Sequence, residues 1–266
     1  MAGQHMLDAG WVWEGIGFDP GVEPTVYGVG EGATYFGVPG ANFIFHPNNE
    51  VNFAKLSHVP KVTADISKWV WYETTAETGR FTFAQTRDDD PNVVAAEAAE
   101  VSRLSLQFPN IVGAFIDDTH GVAAHENATP EAPRRIKEAV RSHNPNLDLW
   151  IVVYTHEFEN EYWQDWVEAV DVINLWVWEY ENLVNIDEYV EGCQQVFPGK
   201  PIVMGIYIRD YPSRSPVPLE FLEIELNAIL KHLEAGSMAG YNILGNCLID
   251  QHPQQAEFIR EFIHSH

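Results

Sequence analysis

Ile111-Val-Gly-Ala-Phe-Ile-Asp-Asp118 is a short, β-rich apolar run that ends in two carboxylates, with amphipathic helical stretches on either side of it. Upstream, an Ala/Glu-rich helix is expected from about Asn92 to Gln107, broken by Pro109-Asn110; downstream, a second is expected from about Pro130 to His143. The same unit recurs in both directions. Asn42–His46, Lys61–Trp69, Leu149–Tyr154, Val172–Trp178, Ile202–Ile208 and Tyr241–Ile249 read as further strands. Asn49–His58, Glu161–Val170, Ile186–Phe197, Leu219–Glu234 and Gln254–His264 read as the helices between and after them. This alternation implies a parallel sheet, because parallel strands need a crossover connection. With Trp11–Phe18 as the eighth strand, the simplest closure at 266 residues is an α/β fold, a single (β/α)8 TIM barrel. An open doubly wound sheet would normally begin with a Gly-rich phosphate turn. Neither GxGxxG nor GxxxxGK[ST] occurs, and Gly28-Val-Gly30-Glu-Gly32 has the wrong spacing and reads as a loop. No linker or low-complexity tract divides the chain, so residues 7–266 read as one domain and Met1–Met6 as a cloning remnant outside it.

Composition narrows the function classes. Lys and Arg total 15 against 39 Asp and Glu, a formal net charge of −24. Such a surface repels phosphate backbones and anionic lipids, so neither nucleic acid nor a membrane is an expected partner. No run of about 18 apolar residues is present. Cys193 and Cys247 sit in no CxxC pair and read as two thiols rather than as a structural bridge. No leader is read in the sequence; the compartment is left open, with a secreted or periplasmic site favoured if one has been removed. Aromatic residues make up 12% of the chain, and several Trp stand beside acidic residues. That combination suits carbohydrate, because flat rings stack on sugar faces while carboxylates accept from hydroxyls.

In barrels of this kind function gathers at the C-terminal ends of the strands. Those ends carry Asn42 and His46, Asp65 with Trp69, Asp117-Asp118 with His120, His156 with Glu157 and Glu159, Trp176, Trp178 and Glu179, Arg209-Asp210-Tyr211, and Asn246 with Asp250. Neighbours on a strand face opposite ways, so one of Asp117 and Asp118 is expected to face the pocket; if Ala114 and Ile116 face the barrel interior, it is Asp118. Glu179 follows Trp176-Val177-Trp178, and flanking rings are expected to desolvate it, raise its pKa and suit it to general-acid work. Thr63, Asp65 and Ser67 share one face, a polar stripe toward the pocket. The loops Gly28–Gly40 and Asp88–Pro91 are the expected pocket walls.

Gly113-Ala-Phe-Ile-Asp-Asp118, Leu149-Trp-Ile-Val-Val-Tyr-Thr-His156, Asn174-Leu-Trp-Val-Trp-Glu179 and Met204-Gly-Ile-Tyr-Ile-Arg-Asp-Tyr211 together resemble TIM-barrel glycoside hydrolases, in particular poorly characterised bacterial proteins of that type. The chain departs from the chitinase-like DxxDxDxE pattern, since Asp117-Asp118 runs into Thr119-His120, and it lacks a strand-end Asn-Glu pair. The resemblance implies a glycosidase acting on a polysaccharide or oligosaccharide, with no cofactor and no metal. Asp118 or Asp117 and Glu179 are the expected acid/base pair. His46, Asp65, His156, Glu157 and Asp210 are expected to hold hydroxyls, with Trp69, Trp176, Trp178 and Tyr207 as stacking platforms. Two other readings stand beside it. One is a divalent-metal sugar isomerase or epimerase using Asp118, His156, Glu179 and Asp210, which EDTA would impair. The other is a barrel that binds carbohydrate without turnover.

Overall fold

The computed structural model describes residues 6–15, 22–67, 69–75 and 81–266. Eight parallel strands close into a barrel: β1 (Gly10–Trp13), β2 (Gly40–Phe43), β3 (Lys61–Asp65), β4 (Ile111–Ile116), β5 (Asp148–Tyr154), β6 (Val172–Trp176), β7 (Ile202–Tyr207) and β8 (Gly240–Leu244). They pair in chain order, and β8 returns to β1, with Trp13 opposite both Leu244 and Asn42. Helices separate consecutive strands in sequence, so the architecture is the (β/α)8 TIM barrel expected from the alternation.

Large aromatic residues fill the barrel from opposite walls. Trp11 of β1 meets Trp150 of β5 edge-on at 4.9 Å, while Trp13 meets Phe115 of β4 at 4.8 Å and Trp176 of β6 at 5.4 Å. Glycines on the neighbouring strands make the room. A Cβ at Gly40 would lie 2.2 Å from the Trp11 ring, and one at Gly205 would lie 2.0 Å from the Trp176 ring. Among these aromatics sits a polar group, wholly buried: Asn42 Nδ2 donates to Thr63 Oγ1 at 2.6 Å, and Asn242 Nδ2 to Asn174 Oδ1 at 3.5 Å.

Several boundaries differ from the sequence expectation, each for a local reason. Strand β3 stops at Asp65, not Trp69, because Asp65 Oδ1 accepts from both the backbone N–H and the hydroxyl of Ser67 and turns the chain. Trp69–Thr75 then pairs antiparallel with Phe81–Arg87 in a hairpin inserted between barrel strands β3 and β4. Gly28–Gly32 is not a loop. A helix spans Val29–Phe36 and ends at Gly37 in the left-handed conformation. Its glycines serve close packing, since a Cβ on Gly32 would press to 2.9 Å from Asn246. Strand β6 ends at Trp176, so Trp178 and Glu179 lie in the loop that follows it. The Glu161–Val170 stretch is helical only over Trp163–Trp166. At the N-terminus, the eighth strand is Gly10–Trp13; residues 16–18 of the expected run, like 1–5, lie outside the described residues. Met6 is fully buried, and the Tyr241 hydroxyl donates to its carbonyl at 3.1 Å. Cys193 and Cys247 are buried and form no disulfide, and burial pushes the Cys193 thiol up to about 12.

Candidate active site

At the C-terminal mouth of the barrel a cavity of about 170 Å³ is walled by Trp13, Glu14, Phe45, Asp117, Asp118, Tyr154, Trp176, Trp178, Tyr207 and Tyr211, among others. Phe115 points into the barrel against Trp13, so alternation turns Ala114 and Ile116 outward, opposite to the condition under which Asp118 alone would face in. Asp117, only 8% exposed, is therefore the residue that parity brings inward. Asp118 reaches the same wall by a different route: its backbone takes the left-handed conformation, φ 41° and ψ 63°, at the start of the short helix Thr119–Ala123. Asp and Asn enter that region more readily than other non-glycine residues. Both carboxylates thus line the cavity.

Hydroxyls hold the pair from β5 and β7. The Tyr154 hydroxyl donates to Asp118 Oδ1 at 2.7 Å, and the Tyr207 hydroxyl is hydrogen-bonded to that of Tyr154. Burial first, then the charges of Asp117 and Asp118, push both phenols well above the usual tyrosine range. From β4's other side, Ser67 braces Asp117 through the backbone: Asp117 N–H donates to Ser67 Oγ at 3.0 Å.

Two grooves of about 390 Å³ each share lining residues with the cavity. Asp118, His120, Gly121, Tyr154, His156, Glu157 and Trp178 line the first, and Thr155, His156, Trp178, Glu179, Asn182 and Tyr189 line the second. Asp118, Tyr154 and Trp178 are common to the cavity and the first groove. Trp178, 40% exposed, borders all three spaces, stacked on Tyr211 at 6.0 Å and edge-on to Tyr154 and Tyr207. Glu157 is half-buried and accepts from the Tyr154 N–H at 3.0 Å. Burial is the larger effect and raises its pKa above the usual value.

The expected residues therefore divide. Asp117, Asp118, Trp176, Trp178 and Tyr207 meet in the cavity, and His156 and Glu157 in the adjoining groove. Glu179 does not join the carboxylate pair. It is exposed, accepts from Asn182 Nδ2 at 3.1 Å and walls only the second groove. The desolvation expected of it belongs instead to Glu157. Asp65 is fully buried in the turn with Ser67 and lines none of these spaces. His46 lies at the rim, where its Nδ1 is 2.9 Å from Glu14 Oε1. Asp210 sits behind the Trp178–Tyr207 wall and accepts from the Ser213 N–H at 2.8 Å. Trp69 opens the hairpin, and its side chain lies outside the described residues. No residue of Gly28–Gly40 or Asp88–Pro91 lines the cavity or grooves among the described residues, although Asp89 packs against Gly121 of the first groove.

Sequence reasoning missed Glu14 and Tyr154 as wall residues, and placed Tyr211 at a strand end without a role. Glu14 follows the inward-facing Trp13 at the end of β1 and is 4% exposed; its carboxylate accepts from the N–H groups of Ile44 and Phe45 at 2.6 and 3.0 Å. Reading strand ends on β1 as on the other strands finds it. The four residues of the metal reading do not line one space: Asp118 lines the cavity and the first groove, Glu179 the second groove, and Asp210 neither. Among the described residues no group of three or more His, Cys, Asp or Glu is placed to hold a metal ion.

Behind the wall, a cavity of about 10 Å³ between Trp178, Tyr207 and Asp210 is bordered by Glu225 of the helix Leu219–Ala235. Glu225 is 1% exposed, neither carboxyl oxygen has a hydrogen-bond partner among the described residues, and burial raises its pKa well above the usual value. A carboxyl with a raised folded-state pKa stabilises the fold below its unfolded value of 4.5, and that contribution is lost as pH rises through the folded value. Wild type is thus expected to lose stability relative to Glu225→Gln as pH is raised from about 5 to about 9. Thermal melts across that range check this; parallel curves for the two proteins would refute it.

No protein-family model matches the chain, and no curated protein matches it in sequence. Solved structures share its fold. It superposes on a β-glucuronidase from Bacteroides uniformis with TM-score 0.59 and 11% identity, covering 92% of this chain and 31% of that one. The PgaB (BpsB) glycoside hydrolase domain from Bordetella bronchiseptica gives TM-score 0.57 and 11% identity over 96% of this chain and 99% of that one. A family GH18 chitinase catalytic domain from the fern Peteris ryukyuensis gives 0.53 and 12%, over 96% and 98%. The chain spans about a third of the length of the β-glucuronidase and nearly all of the other two. What the chain shares with these proteins is the (β/α)8 barrel fold.

Proposed function

We propose that this protein is a glycoside hydrolase whose working carboxylates are Asp118 and Asp117. The observation that carries the reading is the position of Asp118 on the shared edge of the cavity and the first groove. A sugar ring seated in the cavity and a second in the groove would place their glycosidic oxygen at that edge. Asp118 then delivers the proton to the leaving oxygen, its orientation set by the Tyr154 hydroxyl. Asp117, in the same wall, stands where positive charge develops on the ring as the bond breaks; water then adds at the anomeric carbon and its released proton restores Asp118. Trp178 and Tyr211 supply stacking faces, and His156 and Glu157 accept from or donate to hydroxyls in the groove. Glu179 moves from the catalytic pair expected of it to the wall of the second groove. The barrel glycosidases that share this fold support the class of reaction.

The test is release of reducing ends from a panel of plant, algal and microbial glycans by wild type and Asp118→Asn, each with and without EDTA. Release by wild type that the variant lacks and that EDTA leaves unchanged is the expected result. Binding of a glycan with no release by wild type would favour the non-catalytic reading.

A further inference from the structure

Glu225 brings an ionisable group to a place that the chemistry proposed above does not use. It lies on the helix Leu219–Ala235, buried, before the cavity of about 10 Å³ that Val177, Trp178, Tyr180, Leu183, Tyr207 and Asp210 close, among others. Trp178 and Tyr207 also wall the active-site cavity, so the same two rings border Glu225 in one space and Asp117 and Asp118 in the other. A neutral carboxyl suits this setting, whereas an ionised one needs donors. The groups that face it offer few. Asp210 is a second carboxyl, the Tyr207 hydroxyl is engaged with Tyr154, and the Tyr180 hydroxyl with Glu181. On the elements packed around the helix, Asp187 pairs with Lys231 and His232, Gln255 donates to the Val217 carbonyl, and the charge of Arg209 acts on His252. Burial is the one influence that raises the Glu225 pKa.

We propose that Glu225 is a positioning residue for the active-site wall: neutral, it lets Trp178 and Tyr207 close the cavity, and its ionisation releases Trp178 from its seat. Water is what the ionised group lacks. A carboxylate offers about four acceptor sites, and a space of about 10 Å³ is at the lower limit for a single water molecule. Further water has to come through the wall. Val177 and Leu183 are buried, and Tyr207 ends barrel strand β7 and is tied to Tyr154 through its hydroxyl. Trp178 differs from them. It is 40% exposed, lies in the loop after β6 and borders both grooves, so an outward swing of this ring opens the path with the least loss of packing. A carboxyl whose folded-state pKa is raised is neutral at low pH, so the wall is set there and loosens as pH rises. The consequence for glycan binding rests on the reading of this site as a carbohydrate site; the movement of the ring does not.

The experiment is fluorine NMR of the whole chain labelled with fluorotryptophan, without ligand, from pH about 5 to about 9. The Trp178 resonance is identified by its loss in Trp178→Phe, and its response to exchanging light for heavy water reports how far solvent reaches the ring. In wild type that resonance is expected to shift, and its solvent response to grow, as pH rises. In Glu225→Gln, which keeps a neutral group of the same size at every pH, it is expected to hold its low-pH position throughout. Glu225→Met, equally without charge, is expected to behave the same way and guards against a fault peculiar to the amide. Where the glycan panel yields a substrate, KM is expected to rise about fivefold more across this range in wild type than in Glu225→Gln, the loss of one stacking face. A Trp178 resonance indifferent to pH in wild type would overturn the proposal. So would one that moves equally in the two Glu225 variants, which assigns the movement to another group such as His156. The two readings fail separately: a Glu225-dependent shift of Trp178 in a protein that cleaves no glycan removes the hydrolase and keeps the switch, whereas glycan cleavage with an unmoving Trp178 does the reverse.

Discussion

Asp118→Asn is expected to lower glycan hydrolysis by about 10²- to 10⁴-fold, the range for loss of a positioned proton donor. The substitution is chosen so that chemistry is removed and little else. Asn is the non-glycine residue closest to Asp in tolerating the left-handed backbone at this position, φ 41°. Its side-chain carbonyl also still accepts from the Tyr154 hydroxyl that now bonds Oδ1 at 2.7 Å. The melting temperature should therefore stay within about 2 °C of wild type, as for substitutions that break no buried interaction. Tyr154→Phe is expected to cost less, about 10- to 100-fold, because it removes one hydrogen bond that orients the carboxyl and leaves the carboxyl itself in place. A Tyr154→Phe loss larger than that of Asp118→Asn would mean that the phenol, not the carboxylate, is the group in contact with the reacting bond.

Gly205→Ala is expected to destabilise the fold by about 3 kcal/mol, the upper end for overpacking a core. The added methyl would sit 2.0, 2.2 and 2.4 Å from three atoms of the Trp176 ring. That ring is 2% exposed and packed against Trp13 at 5.4 Å and Tyr207 at 4.9 Å. At about 2–4 °C per kcal/mol for a chain of this size, the melting temperature should fall by about 6–12 °C. Placing Gly205→Ala in a Trp176→Phe background should recover part of the loss, because the smaller ring leaves room for the methyl. A fall of less than about 2 °C in the single variant would mean that the barrel wall yields easily there.

The fold is legible because its signal is spread along the chain. Apolar runs such as Val172–Trp176 and Ile202–Tyr207 alternate with helices whose ends carry their own marks, among them Asp90 capping through the Asn92 N–H beside Pro91, and left-handed Gly236 closing the helix Leu219–Ala235. What misleads is local. The Ser67 turn cuts β3 short for the sake of a hydrogen bond that no periodicity reveals. The glycines of Val29–Phe36 resemble a loop in composition but permit close approach to Asn246. At the site, Asp117-Asp118 stands out as paired acids at a strand end, and the structure puts both in one wall. Their facing depends on parity and on one left-handed residue, and only the parity follows from alternation. Two Trp precede Glu179 in sequence and suggest a desolvated setting, yet β6 has ended by then and the side chain faces solvent. Glu14 escapes a reading of strand ends because a strand expected over Trp11–Phe18 runs past it, whereas β1 stops at Trp13.

The measurement that tests the central claim most directly is mass spectrometry of glycan-panel digests made in ¹⁸O-enriched water, with wild type and Asp118→Asn in parallel. Hydrolysis at this site predicts that, of the two fragments from each cleavage, the one bearing the new reducing end carries one ¹⁸O and the other none, both formed by wild type and nearly absent with the variant. Cleavage in which neither fragment carries the label, or labelled fragments that Asp118→Asn makes as fast as wild type, would contradict the account.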